Sequence, residues 1–271
     1  MPSVINTNNS AIQAQQALKI NNRSMTNAMQ QLSTGKRINS AADDAAGLAL
    51  AESMTSSIRG LNAAVRNVND AVNMMQTAEG AMVEQSNMLQ RMRELAVQSA
   101  SGTYSSTQRS YLDTEFQALV TQIGSIASQT TWNGTDLMSS TNTFSFQAGA
   151  SSGQTISVVI TEMSTSSLGI STASVTTAAI ASDTIDTLDT AINSINSQRA
   201  SIGAGINQMT YAADSMANTS ANAAASRSTV MDTDYATAST QLAKGQIIQQ
   251  AATAMLAQAN QQPQSVLALL K

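Results

Sequence analysis

In the first part of the chain apolar residues return at alternating steps of three and four: Val4, Ala11, Ala14, Leu18, Met25, Ala28 and Leu32. Thr7 and Asn21 are the polar interruptions. This is the spacing of a coiled-coil seam, weakened by the amount of Ala in it. Gly35 follows and marks a helix end. A longer seam runs through Ala51, Met54, Ile58, Leu61, Val65, Val68, Val72 and Met75. It then slips by about one residue through Ala78, Met82, Leu89, Met92 and Ala96. A helix of that extent is about 70 Å long and cannot bury its stripe without partner helices. Gly102 ends it, and a third helix begins near Thr107 with Leu112, Phe116, Leu119, Ile123 and Ile126 on one face.

The pattern changes after Thr130. Trp132-Asn133-Gly134-Thr135 reads as a turn, and a single charge, Glu162, lies between Leu137 and Ser182. Phe144 and Phe146, then Ile156, Val158 and Ile160, alternate with polar residues around Gly149 and Gly153, which predicts a β-hairpin near 143–161. Because residues 139–175 break the helical period, this stretch is expected to be the outermost and most replaceable part. The helical period resumes from Ala181 through Ile185, Leu188, Ile192, Ile195, Ile202, Ile206, Met209, Ala213, Met216, Ala223 and Val230. A last helix runs through Tyr235, Ala238, Leu242, Ile248, Met255 and Leu256 and is expected to stop before Pro263. The expected fold is mainly α, with long antiparallel coiled-coil helices, paired N- and C-terminal helices and a small β-hairpin insert. Its parts are an N-terminal helix (1–40), a helical region carrying the hairpin (41–180), a returning helix (181–234) and a C-terminal helix (235–271).

Composition narrows what such a fold is for. The 271 residues are 42% hydrophobic but only 3% aromatic and 11% charged. Ala and Met dominate the apolar positions, which suits thin helical packing better than a thick globular core. A net charge of −4 offers no basic field for nucleic acid. With no His and no Cys, the chain lacks the commonest general base, the usual soft metal ligands and the most reactive nucleophile. No cofactor and no enzymatic role are expected. Met1-Pro2-Ser3-Val4-Ile5-Asn6 has no basic start and no apolar run, so it does not read as a secretory signal. No stretch is apolar enough to span a membrane. Asp43 and Asp44 adjoin a helix start and read as structural acids.

The ends differ from ordinary surface helices. No acid precedes Asp43 and none follows Asp234, and the terminal helices carry only Lys19, Arg23, Lys36, Arg37, Lys244 and Lys271 as charges. Neutral amide faces suit helices set against identical copies, where any charge would meet its own kind. Leu18, Met25, Leu32, Leu242, Ile248 and Leu256 are therefore the expected self-assembly residues of a homopolymer.

Several segments resemble one family. Leu32-Ser33-Thr34-Gly35-Lys36-Arg37-Ile38-Asn39-Ser40-Ala41-Ala42-Asp43-Asp44-Ala45-Ala46-Gly47-Leu48 resembles the signature of bacterial flagellins, as does Leu89-Gln90-Arg91-Met92-Arg93-Glu94-Leu95-Ala96-Val97-Gln98. Thr131-Trp132-Asn133-Gly134, Phe146-Gln147-Ala148-Gly149-Ala150 and Thr155-Ile156-Ser157-Val158 resemble the family's turn and hairpin. The segment from Leu256 to Lys271 resembles its C-terminus. Larger members carry outer domains for which this chain has almost no room. The resemblance implies a secreted, extracellular filament of the bacterial flagellum, used for motility. Its inner tube would be built from the paired ends and its outer tube from the middle. It also implies an export chaperone, a cap protein and hook-associated junction proteins as partners. The Leu89–Gln98 segment resembles the place where a host flagellin-sensing Toll-like receptor docks, matching Gln90, Arg91 and Leu95, with Glu115 matched through Gln108-Arg109. A hook–filament junction protein is the alternative. A chemoreceptor-like signalling rod fits less well, since a β-insert occupies the middle where such a rod would fold about a helical tip.

Overall fold

A computed structural model describes residues 7–268, as backbone alone from 262 onward. Val4 of the first seam and the last residues of the C-terminal motif lie outside the described residues. Among the described residues five helices and two strand pairs follow in order: α1 (Asn9–Thr34), α2 (Ala45–Ala100), α3 (Ser106–Gln129), β1 (Thr131–Trp132), β2 (Thr135–Asp136), β3 (Asn142–Gln147), β4 (Thr155–Ile160), α4 (Ala178–Met231) and α5 (Tyr235–Ala268). The chain is mainly α, as expected. It divides into two compact units, one of residues 1–56 with 222–271 and one of residues 57–221.

In the unit of residues 57–221 the most buried line of α2 runs Ala64, Val68, Ala71, Met75, Ala78, Met82, Leu89, Met92 and Ala96. It keeps the three–four spacing without a break, so the expected slip after Met75 does not occur. Two neighbouring stripes are in use: Leu61, Val65 and Val72 are half-buried beside the main line. The position between Met82 and Leu89 belongs to Gln85, fully buried, whose amide donates to the carbonyls of Ile123 (3.2 Å) and Met163 (3.1 Å). One polar side chain thus ties α2 to α3 and to the segment after β4, supplying hydrogen bonds where an apolar residue would supply only contact.

On α4 the buried line is Ala181, Thr184, Leu188, Ala191, Ile195, Gln198, Ile202, Gly205, Met209 and Met216. Ser220 hydrogen-bonds Asn62 at 2.9 Å, Arg199 meets Glu79 at 3.6 Å and Arg93 meets Asp189 at 2.6 Å. As α2 ascends these contacts descend α4, so the two helices are antiparallel. The α2–α3 corner is held by a capping box between Ser105 and Gln108. There Arg109 donates to the carbonyls of Ser99 (2.7 Å) and Ser101 (2.8 Å), which lie at the end of α2.

The predicted turn is a two-residue hairpin loop. Asn133 and Gly134 have φ of 48° and 78°, the left-handed pair that matches the twist of the strands β1 and β2. The predicted hairpin is β3 paired antiparallel with β4, from Asn142 opposite Ile160 to Gln147 opposite Thr155. Its seats are glycines in long helices. A Cβ on Gly205 would lie 2.9 Å from Val158 Cγ2, and one on Gly60 would lie 2.9 Å from the Ala150 Cβ at the hairpin end.

Two expectations need correction. Residues 139–175 are not uniformly a replaceable exterior: Met163, Leu168, Ile170 and Val175 are buried in the core of this unit, whereas the hairpin end from Ala150 to Thr155 is exposed. Ser99 also donates to the Val175 carbonyl at 2.5 Å. The last helix does not stop before Pro263; α5 continues to Ala268. Proline removes one donor, and a helix tolerates that where the carbonyl left free finds another partner.

Candidate assembly surface

In the unit formed by the chain ends, α1 and α5 pair along their length. Three hydrogen bonds set the direction: Asn8 Nδ2 to the Ala259 carbonyl (2.8 Å), Asn21 Nδ2 to the Gly245 carbonyl (2.8 Å) and Tyr235 OH to the Leu32 carbonyl (3.3 Å). The anchors descend α5 as they climb α1, so the pair is antiparallel. Beyond it the backbone closes with a bridge between Lys36 and Asp232, and with Arg37 N to Met231 O at 2.6 Å and Thr233 N to Gly35 O at 3.0 Å.

Leu18, Met25 and Leu32 on α1 and Leu242 and Leu256 on α5 are half-buried in this pair. Ile248 is not a seam residue: it is 39% exposed, and Ile247 and Met255 are more exposed still. The seam of α5 is instead Ala238, Leu242, Gly245, Gln249, Ala252, Leu256 and Ala259, in steps of four and three. Gly245 and Gln249 hid that spacing, because neither scores as apolar. Ile12, Ile20 and Met29 lie on exposed faces of α1. Both helices thus keep large apolar side chains outside the contact they make with each other.

The signature loop between α1 and α2 is held by its own polar groups. Gly35 caps α1 at φ 69°, and Ile38 beyond it is buried. The Asp43 carboxylate accepts from Ser40 N (2.9 Å), Asn39 N (3.1 Å) and Ser40 Oγ (3.1 Å). The backbone N–H of Ser40, then that of Asn39, holds its pKa below the usual aspartate value. Asp44 accepts from Gly47 N at 2.9 Å, as a helix N-cap does. At the start of α5 Asp234 accepts from Thr237 Oγ1 (2.7 Å) and Ala236 N (2.9 Å), with the Thr237 bond the main cause of its lowered pKa. Both members of the adjacent pair, Asp43 and Asp44, are therefore occupied in shaping backbone.

The second surface, on α2 and α3, mixes exposed and buried residues. Arg91 lies 2.9 Å from Glu115 and 3.0 Å from Glu94. The hydrogen bond to Glu115 is the leading reason its guanidinium pKa is raised. Gln90 is exposed nearby. Leu95, expected beside them, is only 1% exposed and belongs to the core. On a helix it faces inward with Met92 and Ala96, so it supports this surface from beneath and presents no side chain on it.

The matched family regions cover most of the chain. The bacterial flagellin N-terminal helical region matches residues 5–143 and the C-terminal helical region matches residues 185–270. A flagellin of Halalkalibacterium halodurans is 40% identical over 99% of this chain and 100% of its own length. The chain belongs to the bacterial flagellin family. A flagellar filament core protein of Brachyspira hyodysenteriae is 38% identical over 99% of this flagellin and all of its own length. The crystal structure of Bacillus cereus flagellin is similar at a TM-score of 0.50 and 31% identity, covering 56% of this chain and 88% of that one. The N-terminal match includes α1 and the C-terminal match includes α5, the helices that pair in this flagellin.

Proposed function

We infer that this flagellin is the structural subunit of a flagellar filament, outside the cell, and serves motility. The observation that carries the reading is end-to-end similarity to relatives named flagellin and flagellar filament core protein. The physical support is the α1–α5 pair, which joins the two chain ends yet leaves Ile12, Ile20, Ile247 and Met255 exposed. Burying one such side chain contributes about 1.5–3 kcal/mol, so copies stacked on these faces gain substantially. The role is structural and not enzymatic. The relatives spanned end to end carry flagellin and filament names, which leaves the junction-protein reading without support.

Residues 1–40 and 235–271 are read as helices of the filament's inner tube and residues 41–234 as its outer tube, on the support of the family resemblance of the terminal segments. An export chaperone, a cap protein and hook-associated junction proteins are the partners this role requires. Arg91, Glu115 and Gln90 form the face a host Toll-like receptor would grip. Support for that lies in the resemblance of the Leu89–Gln98 segment and in the ion pair joining Arg91 to Glu115.

The test is electron microscopy of the purified chain mixed with short filament fragments grown from the same protein. Elongation into long uniform filaments is the expected result. A protein that stays monomeric at every concentration and salt, with intact fragments present, overturns the reading.

A further inference from the structure

The seam between α1 and α5 does not define its own register. On α5, Ala238, Gly245, Ala252 and Ala259 are small residues spaced a heptad apart, and Leu242, Gln249 and Leu256 alternate with them. Sliding α5 by one heptad replaces each by a residue of similar size, so packing alone discriminates weakly between registers. Away from the closed end, where Tyr235 OH donates to the Leu32 carbonyl and the backbone bridge lies, two features of α5 do not repeat with the heptad. One is Gly245: a Cβ there would lie 3.4 Å from Met25 Cβ and 3.7 Å from Asn21 Oδ1. The other is the carbonyl of Ala259. Four residues later comes Pro263, which has no N–H, so the helix cannot supply this carbonyl with its usual donor.

Each singular feature is met by an asparagine, Asn21 on α1 or Asn8 at its N-cap. Asn21 Nδ2 reaches the Gly245 carbonyl at 2.8 Å, where the missing side chain leaves the backbone open. Asn8 Nδ2 reaches the Ala259 carbonyl at 2.8 Å, while its Oδ1 accepts from Ala11 N at 3.0 Å and caps α1. A slip of one heptad moves α5 by about 10 Å. It would set Asn21 against Ala238 or Ala252 and leave the Ala259 carbonyl with neither a helical donor nor Asn8. A partly buried polar group left unpaired is costly, so the two asparagines penalise every wrong register.

We propose that Asn8 and Asn21 hold the register along the terminal helix pair beyond its bridged end, keyed to the Pro263-freed carbonyl of Ala259 and to the notch at Gly245. They position assembly and are not its main source of stability. Their arrangement assigns a reason to a proline inside α5 and a glycine at a seam position, both of which cost helix stability on their own.

The inference rests on the filament reading in so far as register is read in assembled subunits. The full chain has no native cysteine, so paired cysteines report without interference. Ala14 stands midway between the two anchors, level with Ala252. One form carries Ala14→Cys with Ala252→Cys and reports the native register. Another carries Ala14→Cys with Ala259→Cys and reports a one-heptad slip, which a disulfide spanning about 4.4–6.8 Å between Cα atoms cannot bridge otherwise. Filaments are oxidised with diamide, and the single-chain disulfide is measured as a faster band on non-reducing denaturing gels.

Asn21→Ala keeps a seam-compatible helix former, and Asn8→Asp keeps the N-cap acceptor but removes the donor. Each is expected to lower the ratio of native to slipped disulfide about fivefold, the worth of one hydrogen bond. Pro263→Ala, which returns a donor to the Ala259 carbonyl, should make Asn8→Asp much milder. Ratios unchanged in both asparagine variants, with filaments visible by microscopy, overturn the register proposal. Absence of filaments from the parent cysteine forms and from the unsubstituted chain would instead overturn the filament reading, so the two failures are distinct.

Discussion

A single side chain in this flagellin is decided by its angle on the helix more than by its neighbours in sequence. Leu95 stands within a run of charged residues, yet it faces inward and is buried, while Arg91 points outward to Glu115 and Glu94. The two therefore separate cleanly in experiment. Leu95→Ala should destabilise the unit of residues 57–221 by about 2–5 kcal/mol, through lost burial and a residual cavity. Arg91→Ala should leave the unfolding midpoint unchanged within error, because its ion pairs are exposed to solvent. Urea unfolding followed by circular dichroism measures both. A receptor-binding loss seen for Leu95→Ala is then interpretable only alongside that unfolding curve, whereas one seen for Arg91→Ala reports the surface directly.

At the scale of the element, the long helices are shaped by what rests on them. Gly203 and Gly205 lie two positions apart in α4 and have opposite surroundings. A Cβ on Gly203 would meet nothing within 4 Å, whereas one on Gly205 would press against Val158 of the hairpin at 2.9 Å. Helix propensity favours Ala over Gly by about 1 kcal/mol at either site. Gly203→Ala should therefore stabilise the subunit by about that amount. Gly205→Ala should destabilise it, because overpacking of about 1–3 kcal/mol exceeds the propensity gain and a buried Val cannot swing aside. Thermal unfolding of the two variants in the unpolymerised state checks the opposite signs. If both were stabilising, the seating of β4 on α4 would be wrong.

At the scale of the whole molecule, the two units differ in what buries them. The unit of residues 57–221 has a continuous core with Phe116, Ile123, Leu137 and Ile170 fully buried. The unit of the ends has an Ala-rich seam whose larger residues are only half-buried, and isolated helices with so thin a seam are marginal in water. Limited proteolysis of the unpolymerised subunit should therefore trim both ends and leave a soluble fragment close to residues 57–221. That fragment should fail to elongate filament fragments that the intact chain extends. Ends protected from protease in dilute monomer, or a trimmed fragment that elongates normally, would show that the terminal pair is not the assembly device.

The sequence by itself determined the number, type and approximate extent of the long helices, because a heptad pattern sustained over many turns has no other regular solution. It also determined the β3–β4 hairpin, through its alternation, the turn at Asn133-Gly134, and the family, through segments matched end to end. What only the tertiary structure decided were positions where polarity and burial part company. Gln85, Thr184 and Gln198 are buried for their hydrogen bonds, and Gly205 and Gly245 are buried because something rests on them. None of them carries an apolar signal. The stretch after β4 read as exterior because it lacks periodicity, yet Leu168, Ile170 and Val175 enter the core without regular structure. Pro263 read as a helix stop, but its effect depends on whether the freed carbonyl finds a donor. That donor is Asn8, 251 residues away along the chain, and only the folded pair brings it there.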